Sequence, residues 1–178
     1  FLEKAILQIK KYGNEVYTLN CLQANEKTTF TTVFQWKTFG SGCSIVKSEA
    51  LKNLQFNLSF EFGFGEDADF GMQLRHRGYD VLYLPYPQIL HLKAPIGGFR
   101  TKPALAWSNE KLQPKPSPTV MLYRILHQSK AQRDGYKTVS FFKFYKHQPI
   151  RNPFRYYKNF KAKWAASGYW ANKLQSRE

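Results

Sequence analysis

The sequence predicts an α/β body followed by a basic, aromatic and mainly helical tail. Three observations carry this. An apolar set at helical spacing runs into Gly13 and then an alternating strand pattern. A second helix, glycine and strand succession runs from Glu66 through Gly78 to Leu84. Behind a segment of alternating prolines, the charge turns strongly positive. Helices and strands alternating across glycine stops are the signature of layered α/β architecture.

Taken in order, residues 1–12 place Leu2, Ala5, Ile6 and Ile9 on one helical stripe, with Gly13 suited to end it. Glu15 to Leu22 alternates through Val16 as a strand does, and Thr28 to Trp36 is rich in β-formers, with a run of threonines. Gly40-Ser41-Gly42-Cys43 is a small-residue turn that leads into Ile45-Val46, and Ser48 to Leu51 opens a short helix. Glu66, Asp67 and Asp69 start a helix reaching about Arg77. Its dipole favours acids there and Arg75, His76 and Arg77 at the far end. Gly78 supplies a left-handed cap. Val81 to Leu84 is a continuous apolar run, as in a strand covered on both faces; Pro85 and Pro87 interrupt it, and Ile89 to Leu92 resumes an extended segment.

Of the 178 residues, 43% are hydrophobic and 17% aromatic, which excludes a disordered chain. Cys21 and Cys43 are too few to staple a fold of this length and read as reduced thiols of a cytoplasmic protein. No apolar run approaches the ~20 residues that span a bilayer. Phe1-Leu2-Glu3-Lys4 is neither an initiator methionine nor a signal peptide, and reads as the interior of a longer polypeptide. The net charge of +15 is uneven. Residues 1–118 hold 14 basic and 10 acidic side chains, and residues 119–178 hold 13 and 2. Prolines 114, 116 and 118 forbid helix and ladder alike, so residues 113–118 are read as a linker between a body, 1–112, and a tail, 119–178.

The chemistry-bearing residues cluster after Phe60. Asp67, Phe70, Gly71 and Leu74 share one helical face, which must turn inward, so Asp67 is expected at the cleft end of a buried stripe. A partly desolvated carboxylate there can take a proton from a hydroxyl. The alternative is that Glu66, Asp67 and Asp69 only complement the helix dipole. Asp67-Ala68-Asp69 has the bare spacing of an Asp-x-Asp metal motif, but residues two apart on a helix point away from each other. His91 lies near the end of an extended segment, where α/β sheets place ligands, and is either a ligand or structural. The loop from Lys93 to Arg100, with Gly97-Gly98, can bring cations to phosphate oxygens or be a plain surface loop.

The run Phe62-Gly63-Phe64-Gly65-Glu66-Asp67-Ala68-Asp69-Phe70, followed by Leu74-Arg75, Gly78, Pro85 and His91, resembles the C-terminal half of a GT-A glycosyltransferase. It is most similar to the large inverting family-two sugar transferases of bacteria, and its Gly-Glu-Asp run is similar to that of the β-1,4-galactosyltransferases. The resemblance covers roughly Trp36 to Arg100. It implies a partial GT-A fold with a mixed sheet and transfer of a sugar, with inversion, from a nucleotide-diphosphate donor. The acceptor would be a saccharide or a lipid-linked acceptor, in cell-surface polysaccharide synthesis. By the same resemblance Asp67 is the catalytic base, Glu66 binds the acceptor hydroxyl, and Trp36 and Phe64 line the acceptor pocket. Lys93 and Arg100 close on the donor diphosphate, and His91 is one ligand of a divalent cation, Mn²⁺ or Mg²⁺. Such enzymes also carry a nucleotide-binding half and an Asp-x-Asp at a strand end, which this chain lacks, so it is expected to be incomplete and inactive alone.

The tail interleaves cations with rings. From Phe154, the aromatics Tyr157, Phe160 and Trp164 are read as one helical stripe, with Arg155 and Lys158 on another face. Such a segment suits peripheral contact with an anionic membrane at the inner face of the cytoplasmic membrane. It equally suits aromatics packed inward with solvated cations. The competing class is a non-catalytic polyanion-binding module, for which charge and aromatics are the footprint, although no nucleic-acid motif is present. A degenerate transferase fragment kept for binding or assembly is a third.

Overall fold

The computed structural model describes residues 1–61, 64–92 and 105–176. The chain forms two compact units, residues 1–57 with 66–101 and residues 58–65 with 102–178.

The first unit is a mixed α/β layer structure. Helix α1 (Leu2–Tyr12) ends on Gly13, which takes the left-handed conformation (φ 69°) and donates its N–H to the Ile9 carbonyl at 2.9 Å. Strands β1 (Val16–Gln23), β2 (Phe34–Gln35), β3 (Ser44–Val46) and β4 (Val81–His91) form one sheet in the order β2-β4-β1-β3. The central β1–β4 pair is parallel, and both outer pairs are antiparallel. Two short elements complete the unit around helix α3 (Glu66–His76): a 3₁₀ turn at Ser41–Cys43 and helix α2 (Ser48–Leu51). Of the threonine-rich segment 28–36, only Phe34–Gln35 pairs as strand. The rings of Phe30, Phe34, Trp36 and Tyr83 stack edge-on or tilted, with centroids 5.0–5.9 Å apart.

Strand alternation sorts the core into two layers. Val16 and Val81 face α3, where Phe70 and Leu74 meet Phe39 and Ala50. Tyr17, Leu19, Leu82, Leu84 and Ile45 face the other way, against Ile9 of α1. The Tyr17 hydroxyl donates to the Ile9 carbonyl at 3.2 Å and accepts the Asn14 N–H at 2.6 Å, which ties helix to strand across their turn. Burial, and to a lesser degree the Glu15 charge, push that hydroxyl's pKa up.

Strand β4 is continuous through the prolines expected to break it. Leu19 pairs with Leu84 and Cys21 with Ile89, so Pro85, Tyr86, Pro87 and Gln88 together oppose the single residue Asn20. This is a wide bulge. Prolines are tolerated in it because no ladder partner asks for their missing N–H. Thr28 fastens the bulge, its hydroxyl accepting from Asn20 at 3.2 Å and from Gln88 at 2.6 Å.

The second unit is helical: α4 (Pro118–His127), α5 (Lys130–Tyr145) and α6 (Pro153–Gln175), with a 3₁₀ turn at Leu58–Phe60. Ser129 and Gln132 form a reciprocal capping box on α5, and Asn152 with Pro153 starts α6. Phe60, Trp107, Met121, Leu122, Trp170, Ala171 and Leu174 make one core. The proline run read as a linker lies inside this unit instead. The Pro116 carbonyl accepts the buried Ser167 hydroxyl at 2.7 Å, the Lys115 N–H reaches the Lys163 carbonyl at 3.2 Å, and Pro118 is fully buried. The aromatic stripe of α6 also corrects the expectation. Tyr156, not Tyr157, turns inward with Phe160, because Ser167, Ala171 and Leu174 continue that face at helical spacing. Phe154 and Tyr157 point outward.

Gly65 joins the two units in sequence at φ 125°, and a Cβ there would sit 3.1 Å from the Phe60 ring. Gly65→Ala is expected to cost about 1–3 kcal/mol through backbone strain and ring displacement. Gly168→Ala, mid-helix with open space around it, gains up to about 1 kcal/mol from helix propensity. Urea unfolding of both variants checks the opposite signs; equal midpoints would refute the strain at Gly65.

Candidate functional site

Helix α3 brings its acids to a loop that was read from sequence only as a small-residue turn. Residues 36–44 run antiparallel to α3 along its length. At one end the Arg75 guanidinium donates to the carbonyls of Trp36 (2.9 Å) and Lys37. In the middle Phe39 packs on Phe70, with centroids 4.8 Å apart, and its N–H donates to the Asp67 carbonyl at 3.2 Å. At the other end the Ser41 N–H donates to Asp67 Oδ1 at 3.2 Å. This close approach needs Gly71, where a Cβ would lie 3.0 Å from the Phe39 nitrogen.

The same loop is pinned to the sheet. Thr18 Oγ1 on β1 accepts the Gly40 N–H at 3.3 Å and lies 2.9 Å from the Ser44 hydroxyl, which in turn donates to the Gly40 carbonyl at 2.7 Å. Asp67 is thus half-buried, with one carboxylate oxygen engaged by a backbone N–H whose own position is set by β1. Glu66, one residue earlier, is exposed. The α3 chain direction carries both acids toward the C-terminal ends of the parallel strands, since Trp36, at the opposite end of the docked loop, bonds Val81 at the start of β4. In α/β sheets that is the ligand-bearing end.

The two members of the Asp-x-Asp pattern do diverge. Asp67 meets the loop, whereas Asp69 is the buried carboxylate of the helix (2% exposed), with Gln73 Nε2 donating to it at 2.7 Å. Nothing in the spacing marked Asp69 as inward, because it lies off the Phe70–Leu74 stripe. Gln73 at i+4 is the local signal that a partner was available.

The remaining candidates are placed as follows. Trp36 shares the α3 face of the sheet, but its ring belongs to the cluster with Phe34 and Tyr83. Its contacts are at the Arg75 end of α3 and not at Asp67. Phe64 belongs to the second unit, where its N–H donates to Thr119 Oγ1 at 3.1 Å and its ring is 77% exposed. His91 is exposed at the end of β4. The bulge shifts the pleat there: Ile89 packs with Leu82 and Leu84 on the α1 face, and His91, two residues on, follows it. His91 and Asp67 therefore serve opposite faces of the sheet. Among the described residues no three His, Cys, Asp or Glu side chains converge as a metal group would require. Lys93 and Arg100 lie outside the described residues.

Compared with known proteins, the chain matches no family model, no curated protein and no solved structure.

Cys43, in the 3₁₀ turn beside Asp67, reports on the site. Burial first, then Cys21 and the Asp67 charge, push its thiol from 9.0 up to about 11. At neutral pH it then carries roughly a hundredth of the thiolate it would at 9.0. Alkylation of Cys43, followed by peptide mass mapping, is expected to accelerate up to about pH 11, and Asp67→Asn is expected to lower that midpoint. A midpoint equal to that of the urea-denatured chain would show that the thiol does not sense the site.

Proposed function

We propose that this chain is the acceptor-side part of an inverting, GT-A-type glycosyltransferase, with Asp67 as the general base. The observation that carries the proposal is the Asp67 carboxylate held by the Ser41 N–H at the head of α3, the end directed toward the C-terminal ends of the parallel β1–β4 pair. A base needs a fixed direction and access to a hydroxyl proton. Docking of the loop supplies the first, and half-burial leaves the second. The motif resemblance in Gly65-Glu66-Asp67 adds a substrate class, a nucleotide-diphosphate sugar and a hydroxyl acceptor.

The chemistry is a single displacement. Asp67 removes the acceptor hydroxyl proton as that oxygen attacks the anomeric carbon. The new glycosidic bond forms on one face as the bond to the diphosphate oxygen breaks on the other, inverting the centre. Glu66, exposed beside Asp67, accepts a hydrogen bond from a neighbouring acceptor hydroxyl and so orients it. Lys93 and Arg100 remain proposed diphosphate contacts.

The divalent cation implied by the resemblance does not fit the described residues by themselves. His91 stands on the opposite sheet face from Asp67, and no set of three donors forms among those residues. The acid–base role of Asp67 stands without it.

In the full-length protein, assayed with a panel of nucleotide-sugars and acceptor glycans, Asp67→Asn is expected to lower transfer by at least about a hundredfold. Donor affinity should stay within about threefold, because the amide keeps the Ser41 hydrogen bond. Turnover unchanged by the substitution would overturn the assignment.

A further inference from the structure

The hairpin of α5 and α6 carries a surface that the reaction at Asp67 does not use. Between Tyr136 and Ser176 there are nine Lys or Arg and no Asp or Glu. The inward side of the hairpin is an aromatic pile: Phe141 meets Tyr156 and Phe160 at 4.9 and 5.3 Å between centroids, and the Tyr156 hydroxyl donates to the Phe141 carbonyl at 2.6 Å. With that core satisfied, other rings are left outside it. Phe154 is 80% exposed, Phe142 63% and Tyr157 56%.

These rings and a set of lysines share one side. A groove of about 320 Å³ is lined by Lys137, Phe141 and Phe142 of α5 and by Tyr157, Phe160 and Lys161 of α6. Phe154 stands at i−3 from Tyr157 and i−4 from Lys158, and so extends the same side toward the start of α6. Apolar rings ringed by cations, with the hairpin's one acid, Asp134, a turn before Lys137 and paired with Lys130 at 3.2 Å, are complementary to a surface that is apolar beneath and negatively charged above. We propose that this side of the hairpin docks on an anionic phospholipid bilayer. Phe142, Phe154 and Tyr157 enter the headgroup–acyl boundary, and Lys137, Lys158 and Lys161 lay their stems along it and place their ammonium groups on lipid phosphates. A duplex would match the lysines equally, but its bases are stacked within it and offer no apolar layer for Phe142 and Phe154; a single strand, whose bases can stack on rings, is the rival occupant that the test separates. The inference is independent of the glycosyltransferase reading.

The test uses the whole chain with two kinds of vesicle, phosphatidylcholine alone and phosphatidylcholine mixed with phosphatidylglycerol. Flotation is expected with the anionic vesicles and not with the neutral ones. Phe142→Ser with Phe154→Ser, both exposed positions, is expected to cut the bound fraction at least about tenfold, with helix content unchanged by circular dichroism. Lys137→Glu with Lys161→Glu is expected to do the same. Three results would each overturn the proposal: no flotation on anionic vesicles, flotation that survives the ring substitutions, or release from the vesicles by single-stranded RNA at equal phosphate concentration.

Discussion

The docking of residues 36–44 between β1 and α3 is the interaction on which the first unit depends. The segment has backbone N–H groups that must find acceptors once buried, and it finds them in two directions: Thr18 on the strand and Asp67 on the helix. Each such bond is worth only about 1 kcal/mol net. Their joint effect is geometric. Ser44 leaves the loop already hydrogen-bonded to Thr18, and this sets the register in which β3 pairs with β1. Phe39 fills the space over Gly71 and thereby fixes how near α3 lies to the sheet. The carboxylate of Asp67 inherits its direction from the same contacts. Sheet edge, helix position and candidate base are one arrangement and not three.

The two units divide the electrostatic work. The carboxylates of the proposed reaction sit on α3 among near-balanced charge, whereas 13 of the 27 basic residues fall in the last 60 positions. A large positive field of this kind is inexpensive only where the cations are spread on exposed helix faces. Among the described residues three of them also rest on rings: the Arg124 guanidinium lies 3.2 Å from the Tyr136 centroid, and the ammoniums of Lys137 and Lys173 lie 5.7 and 4.7 Å from those of Trp164 and Trp170. The aromatics thus do double duty, filling the core with one side and supporting cations with the other.

What was legible in the sequence was what local physics decides. The α1 stop at Gly13, the span of α3 and its capping charges, the apolar run of β4 and the mainly helical last third all follow from periodicity and turn chemistry acting over a few residues. Illegible features were those set by partners distant in the chain. Tyr156 and Tyr157 are adjacent aromatics, and either can begin an inward stripe; only the Ser167–Leu174 face, about three turns beyond, settles the phase. Ser59 and Phe60 fall within the stretch read as body, 1–112, yet they are claimed by Leu174 and the Trp107–Trp170 core. The Ser41 contact, the most consequential in the site, showed only as small residues between glycines. A backbone N–H leaves no side-chain signature.

The bulge in β4 shows how such a distant effect reaches chemistry. Counting by twos from Val81, His91 falls on the α3 face with Tyr83, and an unbroken strand would aim it toward the Asp67 side of the sheet. Four residues opposing Asn20 insert three extra positions, an odd number, and every side chain beyond the bulge changes face. The exchange is stable because Ile89 then joins Leu82 and Leu84 in the apolar layer under α1, and because Asn20, Thr28 and Gln88 satisfy one another at the bulge itself. Restoring the alternation would bury His91 on the α3 side only by expelling Ile89 from that layer. The two prolines, which forbid ladder bonds just where the count changes, hold the strand in the arrangement that keeps the histidine and the aspartate apart.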